Sequence, residues 1–227
     1  MTVYIEKPAV NLREELASLR NQGGYQEQQF YFDGRVTNGT FDSDTDWVLN
    51  DGWTISGGKL NIGDVATSTN TYNASGEVLD PTKNYSVTFT ISASTANFGV
   101  QIRLLSSSGT NRYTPSIYYT TDGTYTVAIP AGSFTGTDAV MGFYRVGTHT
   151  GGLSIDNVSV FEVDANDDVI HTMPKGWKPK DVFEDGLLQR EGAANDYEVV
   201  YDGFDYKVKQ TVAPSATTQT CVIGVKA

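Results

Sequence analysis

The sequence predicts an all-β protein whose largest part is a β-sandwich, preceded by a short helical arm and followed by a small β unit. Three observations carry that reading. Gly, Thr, Ser, Tyr and Val set the texture of the chain while helix-forming runs are scarce, a composition suited to pleated, half-buried strands. Turn pairs such as Gly57-Gly58, Asp185-Gly186 and Asp202-Gly203 recur between short segments of alternating polarity, as in a series of hairpins. The third observation is the stretch Gly152-Leu-Ser-Ile-Asp-Asn-Val-Ser-Val-Phe161. Leu153 and Ile155 share one face of an extended chain, but Val158 and Val160 fall on the opposite parity, and side chains alternate with period two. A one-residue β-bulge at Asp156-Asn157 restores a single apolar face. Such a bulge turns a carboxylate and backbone carbonyls out of the ladder, a usual way to build a small polar or metal site. This stretch is expected to be the closing strand around which the sandwich is organised.

As one globule, a chain of 227 residues would bury roughly 70% of its unfolded surface, and two modest domains fit as well. The formal net charge is −11, and residues 36–174, with 14 acidic and 5 basic side chains, carry −9 of it. An acidic domain of this kind repels phosphate backbones, so nucleic acid is not an expected partner. Divalent cations and neutral glycans are compatible with it. The lone Cys221 excludes an internal disulfide framework. The opening Met1–Lys7 has no basic segment followed by an apolar stretch, so neither a signal peptide nor a membrane span is expected.

Residues 1–35 read as an anchoring arm. Asn11-Leu-Arg-Glu14 is a capping box, in which Asn11 accepts from the third helical amide and Glu14 reaches back. Leu12, Leu16 and Leu19 repeat on one stripe until Gly23-Gly24 ends the pattern. The helix would have about nine residues, fewer than the ~12–15 needed for marginal stability alone. Its leucines could cover an edge of their own sandwich, pair along three copies of the chain, or dock on a larger assembly. A terminal arm placed before the domain favours assembly. Gln26–Phe32 is then a strand leading into Asp33-Gly34.

The middle domain, residues 36–164, starts near Val36. Asn38-Gly-Thr-Phe-Asp42 leads through an acidic loop to Trp47, and Asp51–Ile62 is a hairpin turning at Gly57-Gly58. Three alternating strands follow: Tyr85, Val87, Phe89 and Ile91; Phe98, Val100, Ile102 and Leu104; and Tyr125, Val127 and Ile129, ended by Pro130. Asp42-Ser-Asp44-Thr-Asp46 is not an EF-hand, because Trp47 stands where that loop needs Gly and no closing Glu follows. Asp44 and Asp46 read as a solvated turn.

Asn38-Gly-x-Phe-Asp42, a Gly-Trp, a Gly-Gly turn, Asn84-Tyr-Ser-Val-Thr-Phe-Thr90 and the closing Ile155-Asp-Asn-Val-Ser-Val160 resemble the galactose-binding-like jelly rolls of carbohydrate-binding modules in the family four/nine group. The resemblance covers about residues 36–163. It implies a jelly-roll fold and a structural calcium between the first and last strands, held here by Asp42 and Asp156. Two carboxylates from opposite ends of the sequence meeting at a bulge suit a cation that takes several oxygens. It also implies a glycan-binding face, for which Gln101, Arg103, Tyr118 and Tyr144 are the candidates, with Tyr119 and Arg145 nearby in strand order. Tyrosine is a common strand residue whose ring can be half-buried with its hydroxyl wet, so any single one reads more readily as structural.

Asp164–Asp168 is a polar break and Pro174-Lys-Gly-Trp-Lys-Pro179 a domain boundary. A small β unit, 175–227, contains hairpins at Asp185-Gly186 and Asp202-Gly203 and a last strand at Cys221–Val225. Pro174–Gly192, Asn195–Val199 and Thr211-Val-Ala-Pro214 resemble short β modules in virion proteins of tailed bacteriophages, whose Val-Phe-x-x-Gly-x-x-Gln-Arg-Glu-Gly … Asp-Tyr run forms turns and interfaces rather than catalytic sites.

No enzyme constellation emerges. His149 and His171 are the only histidines, neither lies near a Gly-x-Ser-x-Gly elbow, and they share no metal-ligand spacing. The chain is therefore expected to be a non-enzymatic structural component of a tailed phage particle, assembled in the host cytoplasm, homotrimeric and in contact with other virion proteins. Threefold symmetry and the virion setting follow from the resemblance. The alternative is an adhesin that holds host or environmental polysaccharide on the jelly-roll face. A polysaccharide depolymerase, for which two carboxylates would suffice, ranks third.

Overall fold

The computed structural model describes residues 27–32, 34–95, 98–106, 108–113, 117–147, 150–192, 195–211 and 219–226. These residues are all-β, with seventeen strands and no helix among them. The expected helical arm, with Leu12, Leu16 and Leu19, lies outside the described residues. In chain order the strands are β1 (Glu27–Phe32), β2 (Trp47–Leu49), β3 (Trp53–Ile55), β4 (Leu60–Ile62), β5 (Thr69–Asn73), β6 (Asn84–Ser92), β7 (Gln101–Ser106), β8 (Asn111–Tyr113) and β9 (Gly123–Ile129). They continue as β10 (Ala139–Arg145), β11 (Leu153–Val163), β12 (Val169–Thr172), β13 (Trp177–Glu184), β14 (Leu187–Leu188), β15 (Tyr197–Tyr201), β16 (Tyr206–Gln210) and β17 (Thr220–Lys226).

Two sheets enclose the main core. One runs β2-β5-β10-β7-β8; the other places β9, β6, β11, β4 and β3 side by side. The chain crosses repeatedly between them, as in a jelly roll. The alternating residues point inward as their periodicity requires: Tyr85, Val87, Phe89 and Ile91 are each at most 1% exposed, and Phe98, Val100, Ile102 and Leu104 are fully buried. Aromatic rings lock the layers together, with Phe143 5.4 Å from Phe89 edge to face and 6.3 Å from Trp47.

β11 organises the sandwich, and its bulge is present. Its pairing with β6 slips between Asp156 and Ser159, and Asn157 takes the left-handed conformation at φ 53°, which asparagine tolerates better than most residues. Leu153, Ile155, Val158 and Val160 consequently all face the core. On its other edge β11 meets β4 at 153–155 and β12 at Val163. Between them Gly34–Gly39 supplies the ladder, with Arg35 N donating to Val160 O at 2.8 Å and Val158 N to Gly39 O at 2.9 Å.

The hairpins turn where the glycines are. Gly57 and Gly58 both have positive φ, as do Asp185 and Gly186. The C-terminal strands form a sheet β1-β17-β13-β14, and β12, β16 and β15 extend the β11 sheet outward. β1 pairs with β17 over Glu27–Phe32 and Thr220–Val225, so this segment joins the end of the chain rather than merely leading into the sandwich. A second core gathers Met173, Val182, Tyr197, Val208 and Val222, with Phe30 edge to face against Trp177 at 5.2 Å. Arg190 and Asp196, from the phage-like run, hold a turn: Asp196 Oδ2 accepts from the Arg190 amide at 2.8 Å and from its Nε at 3.2 Å.

A polar relay is buried where β12, β13 and β16 meet. Gln210 donates its amide to Glu184 at 2.6 Å and turns its carbonyl oxygen to His171 Nε2, also at 2.6 Å, so that nitrogen carries the proton.

Candidate functional site

The outer face of the five-stranded sheet is where the polar candidates collect. Ile102, Leu104, Met141 and Phe143 point into the core, so alternation sends Gln101, Arg103, Gly142 and Tyr144 to the other side. Cross-strand partners share a face. Tyr144 lies opposite Asn70 on β5 and Gln101 on β7. The antiparallel pair Val100–Tyr119, bonded at 3.1 and 2.9 Å, sets Tyr118 beside Gln101. Asn70, Tyr144, Gln101 and Tyr118 thus form a row across the sheet, roughly 14 Å long at about 4.8 Å per strand. Arg103 leans over the row, its guanidinium carbon 3.2 Å from the centre of the Tyr144 ring.

The neighbouring part of the face is closed. Gly142 lies opposite Arg103 and Tyr72, and a Cβ there would stand 2.7 Å from Leu105 Cδ1 and 3.1 Å from Tyr72 Cβ. Tyr72, Leu105 and Val140 are buried together, with Val48 against them, which leaves the row as the polar end of the face, with Tyr118 exposed, Asn70 and Tyr144 half-buried and Gln101 6% exposed. All four sequence candidates are therefore neighbours. Tyr119 is not among them, since it is buried against Phe89 and Tyr125, and burial raises its phenol above the ordinary range. Asn70, which bonds Asn50 at 2.5 Å, is absent from the sequence reading because Thr69–Asn73 has no alternating apolar pattern to mark it as a strand.

Arg145 follows Tyr144 and so points to the opposite face. It is 3% exposed and lies on the Phe98 ring, 4.4 Å from its centre. Burial lowers the pKa of both arginines, and their opposing influences are tyrosines, Tyr144 and Tyr118 for Arg103 and Tyr118 for Arg145. The Nε of each, and Nη2 of Arg145, are buried without a hydrogen-bond partner among the described residues.

The expected calcium ligands lie on adjoining elements. The Gly39–Val158 bond holds the 38–42 turn against the bulge that carries Asp156. Asp42 Oδ2 accepts from Thr40 at 2.7 Å and Asp156 Oδ1 from the Asn157 amide at 2.7 Å. Asn38 ties the acidic loop, donating to the Ser43 and Thr45 carbonyls at 2.8 and 3.2 Å. Among the described residues no group of three His, Cys, Asp or Glu side chains is arranged for a metal, so a cation here would draw its remaining oxygens from backbone carbonyls.

A second concavity, lined by Lys83, Glu162, Asp164, Asp202, Lys207 and Lys209, lies between the sandwich and the C-terminal strands. Its lysines are all paired: Lys83–Glu162 at 2.9 Å, Lys207–Asp202 at 2.9 Å, and Lys209 to Asp164 and Asp168 at 2.9 and 2.8 Å, while Glu198 also lines it. His149 lies outside the described residues. No described helix is long and apolar enough to cross a membrane.

No family model and no curated protein matches the chain. Solved structures do. An arabinose-bound GH51 α-L-arabinofuranosidase is similar over 57% of this chain and 26% of its own, at 13% identity and a TM-score of 0.45. A CBM4 structure is similar over 56% and 99% (16% identity, TM-score 0.43), and a family 16 carbohydrate-binding module over 56% and 98% (13% identity, TM-score 0.40). At these identities and scores the likenesses carry no argument about what this chain binds.

Proposed function

We propose that the chain is a glycan-binding protein that holds polysaccharide on the outer face of its five-stranded sheet, a reading that reverses the order in which the sequence ranks display and adhesion. The observation that carries it is the row Asn70–Tyr144–Gln101–Tyr118 with Arg103 stacked over Tyr144. Amide and guanidinium donors there accompany the exposed Tyr118 ring on a rigid sheet, which lets a sugar stack on Tyr118 while its hydroxyls are hydrogen-bonded, Arg103 already covering one face of Tyr144. Titration with a polysaccharide panel should give saturable binding. Arg103→Ala or Tyr144→Ala should weaken it at least about tenfold, or about 1.4 kcal/mol, with the fold retained. A blank panel would sink this reading.

The virion role and the homotrimer rest on the sequence resemblances, and assembly through Leu12, Leu16 and Leu19 on their apolar stripe and terminal position. A phage particle is a setting in which a surface-displayed glycan-binding domain would serve attachment, and the exposed Leu187, Leu188 and Phe204 of the C-terminal strands would suit contact with neighbours there.

Calcium is proposed as a structural staple at Asp42 and Asp156. The oxygen-only donor set suits it, and a bound cation would offset like charges near the seam. Saturating calcium at a hundred times its Kd should stabilise the fold by about 2.7 kcal/mol, read as a higher melting temperature than in chelator. Equal melting in both, with Asp156→Ala unchanged, would refute the staple.

A further inference from the structure

We infer that the glycan held on this face is acidic, its carboxylate or sulfate lying by Arg103 and Tyr118, with Arg145 behind them on the inner face of the sheet. This rests on the glycan-binding reading and narrows its substrate class.

Three cations of the sandwich are satisfied by partners within it. Residues 36–174 contain five, against 14 acidic side chains. Lys83 pairs with Glu162, Arg112 makes a two-point contact with Asp138 at 3.0 and 3.1 Å, and Lys59 donates to Ser92 at 2.9 Å. Arg103 and Arg145 have no carboxylate partner among the described residues, and both lie at the end of β7 and β10 that carries the polar row.

Arg145 makes the point more sharply. A guanidinium 3% exposed with two nitrogens unpaired among the described residues is compensated only by the Phe98 ring, and a fold keeps such a buried charge at a cost. Directly opposite it on β5 is Thr69, whose hydroxyl is likewise buried and unpartnered. Tyr118, 44% exposed, is near enough to both arginines to interact electrostatically with each. An anionic group entering beside Tyr118 would meet Arg103 directly and feel Arg145 through a low-dielectric layer, where charge acts strongly. A neutral sugar would leave both charges uncompensated. The negative charge of the whole domain repels polyanions at long range, so attraction here is local to this end of the sheet.

Polygalacturonate and its fully methyl-esterified form share a backbone and differ in charge; dextran sulfate and dextran separate sulfate from carboxylate in the same way. Calorimetric titration of the full chain should favour at least one charged polymer over its neutral counterpart by tenfold or more, and the preference should shrink as salt is raised. Arg103→Met and Arg145→Met should each abolish it. Arg145→Met should also melt at or above the wild-type temperature, because it removes an unpaired buried charge. Equal binding of charged and neutral partners overturns the inference and leaves the glycan-binding reading standing, whereas a failure to bind any polysaccharide, including neutral laminarin and xylan, removes both. A lower melting temperature for Arg145→Met would make Arg145 a support of the fold and overturn its assignment here.

Discussion

Gly39→Ala is expected to lower the melting temperature by roughly 6–12 °C, since overpacking costs about 3 kcal/mol and a chain of this size loses about 2–4 °C per kcal/mol. A Cβ on Gly39 would stand 2.0 Å from the Val158 carbonyl oxygen and 3.4 Å from Val36 Cγ1. The obstacle is backbone, which no rotamer change can relieve. Gly39 also accepts the Val158 amide, so separating the two strips the bulge of its partner and leaves a donor unpaired beside the core. Gly63→Ala is the control, with nothing within 4 Å of its Cβ and no positive φ; it should stay within about 0.5 kcal/mol of wild type. If the two variants melt alike, the clamp between the N-terminal turn and β11 is not what holds the sandwich closed.

Acidification from pH 7 to pH 4 should remove about 3 kcal/mol of stability through His171 alone. Burial, partly opposed by Gln210, pushes its pKa down to about 4. An unfolded chain has a histidine of ordinary pKa, near 6.5, and takes up its proton first. The contribution is therefore intact above about pH 6.5 and drains as pH falls toward 4. Glu184, raised mainly by burial, acts in the other sense, gaining for the folded state as it is protonated. His171→Gln isolates the histidine: denaturant melts should show a shallower fall for the variant between pH 6.5 and 4. Parallel curves would mean that His171 is as free to protonate in the folded protein as in the unfolded one.

His171 shows how far sequence reasoning reaches. As a lone histidine it offered no metal spacing and no nucleophile, and that remains its chemistry. Its burial on Gln210 and Glu184 depends on three strands, β12, β16 and β13, meeting in space, and no local pattern announces such a meeting. The same holds for the binding face. Gln101, Arg103 and Tyr144 were legible because each alternates with a core residue on an obvious strand. Asn70 was not, because the burial of Thr69, Thr71 and Asn73 comes from neighbours and Thr71 and Asn73 hydrogen-bond into the fold, so polar side chains serve as interior.

What the sequence by itself determined was whatever depends on spacing along the chain: the strands that alternate, the hairpins at Gly57-Gly58, Asp185-Gly186 and Asp202-Gly203, and the bulge at Asp156-Asn157, which the parity of four apolar residues demanded. Period-two geometry is local, so the residues that obey it disclose it. The tertiary structure alone decided that Glu27–Phe32 pairs with Thr220–Val225, that Gly34–Gly39 fills the open edge of β11, and that Arg103 and Arg145 come to one end of the sheet without a carboxylate among the described residues. Those are choices among many possible partners for a strand edge or a charge. They are settled by which pairing buries the most apolar surface while satisfying the backbone, a quantity summed over the whole fold.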